Sequence, residues 1–216
     1  MKARGAVDQS ASWSARLALT ALLAAAIAVA GCGQKVARVA PVGPNEVIVA
    51  FGDSLTYGTG AAESESYPAQ LAALIGRKVV RAGVPGEVTE GALQRLPAVI
   101  EEYHPALVIV CLGGNDMLRR MDEAQVRRNL REIIRAIKAR GIAVVLVGVP
   151  KPALIASAPA FYGELAQEFG IPYEGKVVTD VMYQLELKAD PIHPNARGYR
   201  RMAEAIAELL KKAGAI

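Results

Sequence analysis

A chain of 216 residues and 22.8 kDa leaves room for one domain, or a domain and an appendage. With 52% apolar and 21% charged residues it has a globular composition and not that of a disordered tail, while 5% aromatics argue against a stacking platform for single-stranded nucleic acid. Half of the net charge of +4 comes from Lys2, Arg4, Arg16 and Asp8, so the rest lacks a dense basic face and no nucleic-acid partner is expected. Cys32 and Cys111 are too few for a disulfide-stapled mini-protein or a multi-cysteine zinc centre.

Residues Leu17 to Ala30 (LALTALLAAAIAVA) form an uncharged apolar run behind a basic flank. A permanent membrane span needs about 20 apolar residues, so this run fits a secretory signal better. It exits through Val29-Ala30-Gly31-Cys32, which resembles the bacterial lipobox, where the cysteine thiol is acylated and the preceding peptide removed. The alternative is an uncleaved anchor helix with a chance cysteine. On the lipoprotein reading, residues 1–31 are a signal peptide, residues 32–45 a tether after lipidated Cys32, and residues 46–216 the functional domain. Two or more acyl chains suffice for stable anchoring to a membrane. Gly33, where some lipoproteins carry Asp, points by resemblance to the periplasmic face of a bacterial outer membrane.

Gly33 to Asn45 contains Pro41, Gly43 and Pro44 and has no periodicity, which suits a tether. Val47 to Phe51 reads as a first strand, and Tyr67 to Ile75 has helical spacing. Lys78 to Arg81 is a weak second strand. Thr89 to Tyr103 places Leu93, Leu96, Val99 and Ile100 on one helical face. Ala106 to Leu112 is apolar throughout, as in a strand covered on both faces, and Cys111 within it reads as an inert buried thiol. Glu123 to Arg140 is an amphipathic helix with Val126, Leu130, Ile133, Ile134 and Ile137 facing inward. Ile142 to Val149 is a fourth strand, Ala158 to Phe169 a helix, and Ile171 to Tyr173 a short fifth strand. Asn195 to Ala213 closes the chain as a helix that Gly214 ends. Strands alternating with helices predict an α/β fold with a parallel sheet and helices on both faces.

Four loop segments carry candidate chemistry. Gly52-Asp53-Ser54-Leu55-Thr56-Tyr57-Gly58 follows the first strand, where a serine on a tight turn exposes both its hydroxyl and its backbone N–H. Asp and Ser are also ordinary helix caps. Gly83-Val84-Pro85-Gly86-Glu87-Val88-Thr89 follows the second strand, and a glycine there permits close backbone approach to a ligand, although the segment alone is only a loop. Gly113-Gly114-Asn115-Asp116 follows the third strand and adds an amide donor, or a helix cap. Asp190-Pro191-Ile192-His193-Pro194-Asn195 sets a histidine between two prolines, with an aspartate three residues earlier to fix its tautomer. His104, before Pro105 at the opposite end of a strand, reads as structural. Asp53 and Asp116 read as acceptors that hold their loops.

In this order and spacing the four segments resemble the GDSL or SGNH hydrolase superfamily, and within it the bacterial arylesterase, acyl-CoA thioesterase and lysophospholipase group. The likeness spans Val47 to Ile216 and rests on GDSLTYG, GALQRLPAVI, LGGND and DPIHPN. It departs at Pro85-Gly86-Glu87-Val88-Thr89, where the family more often has Ser-Gly-Asp/Glu-Thr. The resemblance implies a three-layer α/β/α sandwich around a mostly parallel, five-stranded, flavodoxin-like sheet. It implies a serine esterase in which Ser54 is the nucleophile, His193 the base and Asp190 its orienter, with no cofactor and no metal. Ser54, Gly86 and Asn115 would form the oxyanion hole. The substrate would be a small ester or thioester, and the protein a monomer. Met117, Leu118 and Ile192, with Leu154 or Ile155, are candidate acyl-pocket residues. A carbohydrate or peptidoglycan O-acetylesterase is an alternative, and a non-catalytic lipid-anchored binding protein another.

Overall fold

The computed structural model describes residues 36–151 and 157–216. The expected signal peptide and Cys32 lie outside these residues. Five parallel strands form one sheet: β1 (Val47–Gly52), β2 (Lys78–Gly83), β3 (Leu107–Cys111), β4 (Ala143–Val147) and β5 (Tyr173–Glu174). Their order is β2-β1-β3-β4-β5, the flavodoxin-like order that the resemblance implies. β1 and β3 are buried almost throughout, as is β4 beyond Ala143. This explains their unbroken apolar sequence, since both faces are covered. β2, at an edge, is half-buried and starts at the exposed Lys78.

The connecting helices are α1 (Ser54–Tyr57), α2 (Tyr67–Ile75), α3 (Thr89–Tyr103), α4 (Gly114–Leu118), α5 (Glu123–Lys138), α6 (Ala160–Phe169), α7 (Val177–Tyr183) and α8 (Ala196–Ala213). The chain first steps from β1 outward to β2, then crosses back to β3 and onward. Right-handed crossovers therefore send α2 to one face and α3, α5 and α6 to the other. α8 packs against α2, and α5 against α3 and α6. The five apolar residues expected on the inner face of α5 are all buried. Each of α2, α6 and α8 ends on a left-handed glycine (Gly76, Gly170 and Gly214), which closes the last turn without a Cβ clash.

Two predicted features differ. Residues 36–45, expected as part of a tether, are seated on the domain. The Val39 and Val42 amides donate to the Ala213 and Ala215 carbonyls at 3.1 and 2.8 Å, and Val42 is buried. Three valines spaced along this segment supply an apolar edge that a solvated tether would not need. The second difference is α7, which was not anticipated. It buries Val177, Val178 and Val181.

β1 and β2 end in register on Gly52 and Gly83, and α1 lies directly across these ends. A Cβ on Gly52 would stand 2.1 Å from Thr56 Oγ1 and 2.4 Å from the Cys111 carbonyl oxygen. A Cβ on Gly83 would stand 2.2 Å from the Tyr57 nitrogen and 2.7 Å from the Asp53 carbonyl oxygen. These neighbours of Gly83 are backbone atoms and cannot swing aside. Gly83→Ala is expected to destabilise the fold by about 1–3 kcal/mol, measured by denaturant unfolding. An unshifted midpoint would mean that α1 does not rest on the strand end.

Candidate active site

The turn out of β1 is tight. Asp53 caps α1, its Oδ1 accepting the Leu55 N–H at 3.0 Å. Ser54 is then the first helical residue, so its own N–H has no partner within the helix. Thr56 Oγ1 meets Tyr67 Oη at 3.0 Å, which ties α1 to α2. Tyr199 Oη donates to the Thr59 carbonyl at 2.7 Å, and Gln70 Nε2 donates to the Ala196 carbonyl at 3.0 Å. These bonds fix the start of α8 beside α1.

His193 sits just before α8. Asp190 Oδ1 accepts the backbone N–H groups of Ile192 and His193 at 2.8 and 2.9 Å, which folds the turn. Asp190 Oδ2 lies 2.7 Å from His193 Nδ1. On the other side of the ring, His193 Nε2 lies 3.0 Å from Ser54 Oγ, a contact between residues 139 apart in the chain. With Nδ1–H given to Asp190, Nε2 is left to accept the hydroxyl proton. Burial pushes the Asp190 carboxyl up, but the hydrogen bonds from His193 and the Ile192 amide outweigh this and hold it below its ordinary value. Asp190 is thus an ionised partner for the imidazole.

The opposite wall comes from the loops after β2 and β3. Residues Val84 to Glu87 form a turn closed by Glu87 N–H to the Val84 carbonyl at 3.1 Å. Gly86 is its third residue, with φ 78°, and Pro85 its second. Pro followed by Gly suits a type II turn, which accounts for Pro85 where the family pattern has Ser. Asn115, the second residue of α4, donates from Nδ2 to the Glu87 carbonyl at 3.0 Å. A carboxamide has a second N–H, which this bond leaves available. Asp116 is fully buried and accepts the Thr89 N–H at 3.0 and 3.1 Å and the Thr89 hydroxyl at 2.6 Å. Asn129 Nδ2 donates to Thr89 Oγ1 at 3.0 Å. This buried network locks the start of α3 to α4, so Asp116 holds loops together, and the buried polar Asn129 completes the network from α5.

Ser54, Asn115 and His193 line one cleft of about 300 Å³, and Leu118 and Ile192 line it too. Gly86 is outside that lining, next to Glu87, whose carbonyl accepts from Asn115 Nδ2. Met117 is a correction: it is buried in the core and does not line the cleft, because α4 turns it inward next to Asp116. Leu154 and Ile155 lie outside the described residues. Sequence reasoning missed Val178, Met182 and Tyr183, which α7 contributes to the apolar wall. The signal for them was Val178, Val181 and Met182 at helical spacing just past Gly175. Lys151 and Asp53 also reach the lining. His104 caps the end of α3 at φ 44°, at the opposite end of the sheet. Cys111 is buried in β3, and burial pushes its thiol well above the ordinary value.

A parallel α/β domain with a serine, imidazole and carboxylate in line at the strand ends defines an acyl-transfer type of hydrolase site. A model of the GDSL-like Lipase/Acylhydrolase family matches residues 50–201, and the chain belongs to that family. It is 30% identical to Esterase TesA of Pseudomonas aeruginosa over 179 residues, 77% of this chain and 88% of that protein. Over 174 residues it is 31% identical to the Escherichia coli protein named Thioesterase 1/protease 1/lysophospholipase L1, covering 77% of this chain and 84% of that one. The crystal structure of TesA aligns with a TM-score of 0.68 at 31% identity, over 78% of this chain and 99% of that chain.

Asp53 raises a question of charge. Burial pushes its carboxyl up to about 7, and the nearby Asp116 and Glu87 push the same way. An unfolded aspartate releases its proton near 3.8, so between about pH 4 and 7 the native state holds a proton that the unfolded chain has lost. Native stability therefore falls as pH rises through that window. Asp53→Asn keeps a capping oxygen and removes the titration. Its stability relative to wild type is expected to climb by about 1.4 kcal/mol per pH unit across the window, measured by denaturant unfolding at several pH values. A difference that stays constant with pH would mean an unshifted carboxyl.

Proposed function

We propose that this chain is a serine esterase that hydrolyses carboxylic esters or thioesters with aliphatic or aromatic acyl groups of modest size. The observation that carries this reading is the in-line contact from Asp190 through His193 to Ser54, at 2.7 and 3.0 Å. Ser54 Oγ attacks the carbonyl carbon while His193 Nε2 takes its proton. The tetrahedral oxyanion receives the Ser54 N–H, the Gly86 N–H and the remaining Asn115 N–H. Collapse expels the alcohol or thiol, which takes the proton from His193. A water molecule, activated by the same imidazole, then frees the acid from Ser54. Throughout, Asp190 orients the ring and stabilises the imidazolium.

The substrate class follows from the wall. Leu118, Val149, Val178, Met182 and Ile192 give the cleft an apolar side, which suits an acyl chain and offers little to the hydroxyls of a sugar. The names of the relatives, an esterase and a thioesterase/lysophospholipase, support the same chemistry. Ser54→Ala is expected to lower kcat on p-nitrophenyl acyl esters by at least about a thousandfold with an unchanged fold. Asn115→Ala is expected to lower kcat by about 100-fold or more with a smaller change in KM. Full turnover by the Ser54 variant removes the nucleophile, and a pure KM effect makes Asn115 a binding residue.

We further infer that Cys32 is acylated and holds the protein on the periplasmic face of a bacterial outer membrane. The support is the apolar run from Leu17 to Ala30 with its Val29-Ala30-Gly31-Cys32 exit and Gly33 beyond it. Radiolabelled palmitate fed to cells expressing the protein is expected to label wild type and not Cys32→Ser. Label retained on the Cys32→Ser variant would refute acylation at that thiol.

A further inference from the structure

The loop that carries Gly86 is fastened from a side of the molecule that the reaction does not use. Arg95 lies on α3, and its guanidinium grips the Glu87 carboxylate with two bonds, Nε to Oε1 at 2.9 Å and Nη2 to Oε2 at 2.7 Å. Nη2 also reaches the carbonyls of Ala82 at 3.3 Å and Gly52 at 3.5 Å, the ends of β2 and β1. The guanidinium lies over the Phe51 ring, 4.4 Å from its centroid. The Glu87 side chain is only 9% exposed and that of Arg95 only 24%. A paired, stacked guanidinium of this kind has little freedom, and its planar fork is not reproduced by lysine.

Glu87 then passes the constraint on. Its carbonyl is the acceptor for Asn115 Nδ2, and its amide closes the turn that puts Gly86 at positive φ. Arg119 adds an exposed tie, Nη2 to the Gly86 carbonyl at 2.8 Å. Val84 N–H holds the start of the loop to the Gly52 carbonyl at 3.0 Å, and Arg95 is the side chain that connects Glu87, at its far end, to the same strand ends from which Ser54 rises. We infer that Arg95 is a positioning residue, which through Glu87 sets Gly86 and Asn115 against Ser54. Arg95 does not line the cleft. The inference rests on the serine-esterase reading for its effect on rate, but the clamp itself is a property of the loop.

Two measurements separate these. Arg95→Met keeps much of the stem and removes the fork. By hydrogen exchange, the Glu87 amide of this variant is expected to exchange at least about tenfold faster, with the core of β3 unchanged. By kinetics, kcat on a p-nitrophenyl ester is expected to fall about 10- to 100-fold, with KM within about threefold. Arg95→Lys is expected to lie between Arg95→Met and wild type. In an Asn115→Ala background, Arg95→Met is expected to cost less than it does in the wild-type background, because one of its two targets is already gone. Unchanged exchange at Glu87 overturns the clamp whatever the kinetics. Faster exchange with full kcat, or the same loss in the Asn115→Ala background, overturns the positioning role while leaving the esterase reading intact. Turnover retained by Ser54→Ala instead sinks the esterase reading, and the exchange result still decides the clamp.

Discussion

A hydroxyl just after the first strand and an imidazole just before the last helix stand 3.0 Å apart, although 139 residues separate them. Loop closure over such a length is entropically unfavourable, and a single hydrogen bond contributes only about 1 kcal/mol net. The contact cannot hold itself together; it is delivered by packing. α8 lies against α2 and buries Tyr199, Met202, Ala203, Ile206 and Leu210, and this burial fixes where the helix begins. The Tyr199 and Gln70 bonds then pin that beginning to the segment around α1. What positions His193 is therefore the apolar stripe of a helix that takes no part in the chemistry.

The second constraint is electrostatic. Three acids, Asp53, Asp116 and Glu87, hold the loops beside the cleft, and none carries an uncompensated charge there below about pH 7. Burial and the other two acids drive Asp53 to keep its proton up to about pH 7. Asp116 gives its charge to the Thr89 amide and hydroxyl. Glu87 is matched by Arg95. Each acid also does mechanical work, capping α1, locking α3 to α4, or fastening the Gly86 loop. The loops need strong acceptors to be rigid, and the price of those acceptors is met by protonation, hydrogen bonding and pairing respectively.

Much of this is legible in the chain. β1, β3 and β4 announce themselves as apolar runs because both their faces are covered, and the four loop segments stand at strand ends, where a parallel sheet gathers its functional groups. Ser54, Asn115 and His193 do meet in one cleft. What is not legible has physical causes. α7 is short, and Val177, Val178, Thr179 and Val181 are β-branched residues that favour strands; only burial against α8 makes them helical. Met117 reads as a cleft residue by proximity to Asn115, but helical rotation carries it to the opposite side of α4. The seat of residues 36–45 depends on the end of α8, which no local pattern in that segment reveals.

The same division separates chemistry from selection. Ser54, Asn115 and His193 come to the cleft from the ends of β1 and β3 and from the turn before α8, with Ser54 tied to His193 and Asn115 to the Glu87 carbonyl of the loop after β2. Most of the apolar wall comes from α7, the β4 exit at Val149 and the tips at Leu118 and Ile192. α7 follows β5, a two-residue edge strand, and Leu118 and Ile192 are both more than 40% exposed. Leu118, Ile192 and Tyr183 are exposed and can be replaced without disturbing the core, whereas Val149 and Val178 belong to both the wall and the core. On the proposed esterase reading, these exposed tips are where the choice of acyl group can change while Ser54, Asn115 and His193 stay in register.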